Sequence, residues 1–83
     1  MTPALSLRQR EILAQMHKQA DSDDGELVYE RGVGYLGLDR VSGRTVFALL
    51  RFCAISLEPF SKIGEVERYR INETGRKLLE IKP

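Results

Sequence analysis

The stretch Asp39-Arg-Val-Ser-Gly-Arg-Thr-Val-Phe-Ala-Leu-Leu-Arg51 organises the reading of this 83-residue chain. Ser42 is a good N-cap, because its hydroxyl can accept from a free N–H of a first helical turn. Val46, Leu49, Leu50 and Cys53 follow at i, i+3, i+4 and i+7, a narrow apolar stripe that faces a core. Arg44, Phe47, Ala48 and Arg51 fall on the opposite face. The spacing predicts a helix over about Gly43 to Phe52, with Cys53 as a buried thiol completing the stripe. No acidic residue lies between Asp39 and Glu58. Arg40, Arg44 and Arg51, with the hydroxyls of Ser42 and Thr45, gather cations and donors around a helix start. Free N–H groups already favour an anion there, and Gly43 allows close approach.

Towards the N-terminus, Ser6 stands three residues before Gln9, the spacing of a capping box. Ile12, Leu13, Met16 and Ala20 recur on one helical stripe, which predicts a helix from about Leu7 to Ala20. The polar run Asp21-Ser-Asp-Asp-Gly25 ends it. Four glycines between Gly25 and Gly37, with Val and Tyr among them, argue against a regular helix. They suit short strands or a hairpin, with Arg31-Gly32 near a turn.

Towards the C-terminus, Ala54 to Phe60 reads as a strand, with Ile55 and Leu57 pointing one way and Pro59 ending it or confining it to an edge. Ser61-Lys-Ile-Gly64 reads as a turn. From Glu65 to Ile71 a second strand places Tyr69 and Ile71 inward and Arg68 and Arg70 outward. Asn72 caps a last helix carrying Leu78, Leu79 and Ile81.

Length and composition set the bounds. The chain suits one α+β domain over residues 1–83, with 42% apolar and 30% charged residues. It has no long apolar run and no secretory signal pattern. A lone cysteine allows no internal disulfide, and with the lone His17 it makes no zinc site, so a reduced, cytoplasmic protein without metal or cofactor is expected. Gly32-Val-Gly34 lacks the third glycine and the βαβ setting of a nucleotide fingerprint. No nucleophile elbow accompanies the histidine, and so short a chain leaves little room for a cleft, so a non-enzyme is expected. Charge is uneven. Residues 1–26 carry three cations against five anions (net −2), and residues 27–83 carry ten against seven (net +3). A surface that meets nucleic acid must exclude the acidic run Asp21–Glu26.

The order helix, extended segment, helix, hairpin, helix resembles a winged helix-turn-helix domain, and the second half is similar to bacterial regulators of the MarR and PadR type. Ser42, Arg44, Thr45 and Leu49 match the recognition-helix pattern. Tyr69, Ile71, Gly75, Arg76 and Leu79 match the end of the wing and the start of the closing helix. The opening Leu5-Ser-Leu-Arg-Gln-Arg-Glu-Ile-Leu13 resembles the first helix of such domains. Two features depart from the pattern. Leu27–Leu38 stands where a bracing helix is usual, and Phe52-Cys53-Ala54-Ile55 lacks the usual glycine at the helix end.

The resemblance implies three helices and a two-stranded wing, with room for an extra hairpin before the recognition helix. It implies a sequence-specific DNA-binding protein, a small transcriptional regulator acting as a dimer. Helix 42–52 would enter the major groove and the 60–68 wing would lie on the backbone. Arg44 and Arg51 share a face and suit a guanine edge and a phosphate, and Phe47 suits a thymine methyl group. Ser42 and Thr45 suit phosphate or base. Arg40, and in the wing Lys62, Arg68 and Arg70, suit the flanking backbone.

The competing expectation is a winged-helix module that binds a protein and no DNA. The near-neutral charge, the acidic loop and an exposed Phe47 favour it. The arginines then form a solvated face, and Arg68 and Arg70 pair with Glu65, Glu58 or Glu67. Tyr29 and Tyr35 are expected in the core or in hairpin pairing.

Overall fold

The computed structural model describes residues 5–61 and 66–80. The first helix, α1, spans Leu7–Lys18. Its capping box forms as the sequence predicts: Gln9 N–H donates to Ser6 Oγ at 3.2 Å, and Ser6 N–H donates to Gln9 Oε1 at 2.9 Å. Ile12, Leu13 and Met16 are its buried stripe. The helix stops two residues short of the predicted Ala20. Gly25 lies in a single 3-10 turn, Asp23–Gly25, folded back so closely that a Cβ there would meet the Gln19 carbonyl oxygen at 2.3 Å.

Three strands follow in a meander: β1 at Leu27–Glu30, β2 at Val33–Leu36 and β3 at Asp39–Ser42. The predicted turn at Arg31-Gly32 is a two-residue hairpin loop with φ of 52° and 82°, the signature of a type I′ turn. Gly37-Leu38 makes the second two-residue turn. The sequence reading missed β3, because Asp39–Ser42 lacks an apolar alternation beyond Val41. The strand is an edge, and only Val41 of its four residues is buried.

β3 runs without a loop into α2, Gly43–Arg51. Ser42 is its N-cap, accepting from Thr45 N–H at 3.3 Å. Val46 and Leu49 are fully buried beneath it. The bracing element is therefore a β-hairpin: a Cβ on Gly34 of β2 would lie 2.8 Å from Val46 Cγ2, so the missing side chain lets α2 sit directly on the sheet.

Cys53 corrects the sequence expectation. It is exposed and has a left-handed φ of 58°, so it does not complete the core stripe. Cys53 N–H donates to the Leu50 carbonyl and Ala54 N–H to the Leu49 carbonyl, each at 3.0 Å, the bond pair of a Schellman cap. The cysteine performs the stop that glycine usually performs.

β4 spans Ile55–Leu57, shorter than predicted because Pro59 begins a turn. β5 spans Glu67–Ile71 with Tyr69 and Ile71 buried, as the alternation predicts. α3 covers Glu73–Glu80, its first turn tied by Gly75 N–H to Asn72 Oδ1 at 2.9 Å. The predicted contribution of Ile81 to this helix lies outside the described residues.

The strands form one antiparallel sheet in the order β3-β2-β1-β5-β4. The expected two-stranded wing is thus corrected. β4 and β5 are the continuation of a five-stranded sheet, because β1 pairs with β5 on the side that a free hairpin would leave open. Three helices line one face, over a core built from Leu5, Ile12, Leu13, Met16, Leu27, Leu36 and the inward residues of α2, β4 and β5.

Replacing Cys53 by glycine removes the strain of a left-handed side-chain-bearing residue. Part of that gain is offset by glycine's freedom in the unfolded chain, so Cys53→Gly should raise stability by about 0.5–1 kcal/mol, read as a melting-temperature rise of a few degrees. A lower melting temperature would refute the cap assignment.

Candidate nucleic-acid interface

Register divides the predicted site residues between two surfaces. Leu27, Leu36 and Tyr69 share a row across the sheet, as do Tyr29, Gly34 and Val41, and both rows face the helices. The intervening row, Arg40–Tyr35–Val28–Arg68, faces the other way, with Arg70 opposite Ser56 on the same outer side. Arg40 therefore projects beside Tyr35, on the side of the sheet away from α2. The three arginines that crowd one stretch of sequence do not share one surface. Arg44 and Arg51 do, with Phe47 between them, 53% exposed. They are separated by seven residues, about 10 Å along the axis.

The two groups also differ in their partners. On the outer face, Arg68 pairs with Glu26 at 2.7 Å. Arg70 pairs with Glu58, lies 3.9 Å from Asp23 and Glu26, and donates to the Ala20 and Ser22 carbonyls at 3.1 and 3.2 Å. These side chains tie the acidic loop to the sheet, as the pairing alternative expects for Glu58. Arg40, Arg44 and Arg51 form no ion pair among the described residues. Lys62 lies outside the described residues.

The sheet also has two distinct ends. At one end stand the Arg31-Gly32 turn, the start of α2, and the ends of β4 and β5 that the 58–66 connection joins. A Cβ on Gly43 would lie 2.9 Å from the Gly32 carbonyl oxygen, so turn and helix start are in direct contact. The acidic 3-10 turn and the Gly37-Leu38 turn sit at the other end. The exclusion demanded of a nucleic-acid surface is met by strand direction.

Ser42 is first of all a cap. Its Oγ takes the Thr45 N–H and lies 3.1 Å from Thr45 Oγ1, so the two predicted hydroxyls engage each other. Tyr29 packs edge-on against Phe47 with ring centroids 5.5 Å apart, on the inner face. Tyr35 is 44% exposed on the outer face, outside the core but paired across the hairpins with Val28 and Arg40, the second of its two expected placements. Two residues that sequence reasoning passed over belong to this end. Arg31 is exposed and forms no ion pair among the described residues. Glu30 is exposed in the outer row that contains Val33 and Ser42. Both are eleven or more residues from Ser42 and Arg44 in sequence, and only pairing of β1, β2 and β3 brings them there.

No family model, curated protein or solved structure matches this chain. Among the described residues no helix is long and apolar enough to cross a membrane.

Tyr69 closes the sheet between β1 and β4. Burial first, and the Glu67 carboxylate to which it donates second, push its hydroxyl up to about 12. An unfolded tyrosine ionises near 10. The folded chain holds a proton that the unfolded chain has released, so this contribution is complete below about pH 10 and is lost as pH rises through about 12. The slope approaches about 1.4 kcal/mol per pH unit between those values. Urea melts from pH 9 to 11.5 should show the decline in wild type and a shallower one in Tyr69→Phe. Parallel profiles would exclude the assigned cause.

Proposed function

We propose that the chain is a winged-helix variant that binds double-stranded DNA through the N-terminal half and exposed stripe of α2, as a small transcriptional regulator. The observation that carries this is the composition of that stripe. Arg44, Phe47 and Arg51 project from one helix face, and among the described residues no carboxylate pairs with either arginine, while Arg68 and Arg70 are engaged by Glu26, Glu58 and Asp23.

The arrangement of β1, β5 and β4 under three helices supports a winged-helix frame, with the β2–β3 hairpin in place of the second helix. A helix that starts at the open end of the sheet can present its first residues to base edges, as recognition helices do. Arg44 is then placed for a guanine edge, and Arg51, at the other end of the helix, for a phosphate. Ser42, Gly43 and Thr45 hold the helix start in place beside the duplex. Arg40, Arg68 and Arg70 take no part in this contact, because the sheet lies between them and the stripe. One module offers few contacts, which favours action as a dimer in the cytoplasm.

One observation favours a protein partner instead. Tyr29 and Phe47 form an aromatic pair with Phe47 half exposed, while the β5 arginines, on the opposite face of the sheet, are already paired with carboxylates and add no cation beside it. Anisotropy titration of labelled duplex DNA decides between the two. Wild type should bind at low salt, and Arg44→Ala should weaken binding at least fivefold, matching the loss of about 1–3 kcal/mol for a base contact. Absence of binding at low salt, or equal binding by Arg44→Ala, would leave the protein-partner function standing.

A further inference from the structure

We infer that the Arg31-Gly32 turn, and not the outer face of β5, makes the second backbone contact on the duplex proposed above; the inference rests on that proposal. Four observations converge on Arg31.

Its position comes first. The turn touches the start of α2 through Gly43, and the β2–β3 register sets Val33, two residues on, opposite Ser42. A duplex engaged by Arg44 passes this turn before it reaches any residue of β5. Its charge comes second. Arg31 is exposed and forms no ion pair among the described residues, whereas Arg68 and Arg70 are held by Glu26, Glu58 and Asp23. Freeing either of those from its carboxylates before a phosphate can be gripped cancels part of the gain.

The third observation is the residue type. A type I′ turn places both central residues at positive φ, and asparagine followed by glycine is its usual solution. Here an arginine stands at φ 52°, one of two non-glycine residues with positive φ among the described residues. The other, Cys53, is explained by its cap. Among the described residues the Arg31 side chain makes no hydrogen bond or ion pair that would offset placing a long cationic residue in a conformation that costs energy. Contact with a polyanion explains it. The fourth is Glu30, exposed in the outer row with Val33 and Ser42. A carboxylate next to the turn repels phosphate at that end of the outer face, which favours a duplex on the α2 side of Arg31.

The experiment is the salt dependence of duplex DNA binding by anisotropy, from 50 to 200 mM, for wild type and five variants. Arg31→Asn removes the charge and keeps a residue suited to the turn, so its melting temperature should not fall. Its plot of log affinity against log salt should lose about one unit of slope, so that it loses about three- to fourfold less affinity over that range than wild type. Arg31→Lys should keep the wild-type slope. Arg68→Ala should leave the slope unchanged, and Glu30→Gln should tighten binding. A wild-type slope in Arg31→Asn, or a slope lost in Arg68→Ala, overturns the inference while leaving the α2 contact intact. A wild type that does not bind, or one indifferent to Arg44→Ala, overturns the DNA function itself. The two failures are thus distinguishable.

Discussion

The pairing of β1 with β5 is the constraint on which the rest of this structure depends. It joins Leu27 to Tyr69, Val28 to Arg68 and Tyr29 to Glu67, residues about forty apart in sequence. Without it the chain would hold a three-stranded meander and a separate two-stranded hairpin, and such a hairpin alone is marginal in water. With it, five strands share one apolar surface, and α1, α2 and α3 each find a place on it. Leu27 is fully buried at the junction, between Leu36 on one side and Tyr69 on the other. Such a non-local contact is costly to form early, so the locally stabilised pieces, above all the capped α1 and the type I′ hairpin, are the natural precursors.

The same pairing distributes charge. Because β5 lies beside β1, Arg68 and Arg70 face the loop that leads into β1, and its carboxylates neutralise them. Because β2 and β3 extend the other side of β1, α2 starts at the sheet end opposite to that loop. Arginines of one chemical type therefore carry two duties. Those on β5 fasten the acidic segment, and those on α2 and the first hairpin turn form no ion pair among the described residues. Exposed pairs of this kind contribute little each, about 0–1 kcal/mol, but Arg70 joins several acceptors at once and is the anchor of that loop.

Much of the fold was legible in sequence where local chemistry decides it. The capping box of Ser6 and Gln9, the Ser42 and Asn72 caps, the alternation of Glu67–Ile71 and the turn at Arg31-Gly32 all announce themselves within a few residues. What was not legible depended on partners far along the chain. β3 shows no alternation because a single buried residue, Val41, is enough for an edge strand beside a helix. The separation of Arg40 from Arg44 follows from strand register, which a count of cations cannot contain. Cys53 fell at a core position of the helical stripe, yet the helix ends at Arg51 and Cys53 lies beyond it in a left-handed cap. Periodicity says which face a residue would take if the helix continued, and nothing about whether it does.

The two edges of the sheet show how the same constraint limits association. An edge strand exposes unpaired N–H and C=O groups that another chain can join. β4 is only three residues long, which gives a partner strand little to pair with. β3 is guarded differently: the Arg8 guanidinium donates to the Arg40 carbonyl at 3.2 Å, occupying an acceptor on the exposed edge. Arg8 sits on α1, so this contact also ties the first helix to the strand that launches α2. A dimer built by extending the sheet through β3 would have to displace it. A dimer that keeps α2 free for a duplex is better served by the helical side, where Leu7 is exposed at the start of α1. On the function proposed above, α2 and the first hairpin turn, left open by β-pairing and by the acidic loop, are the part of the molecule that would meet the duplex.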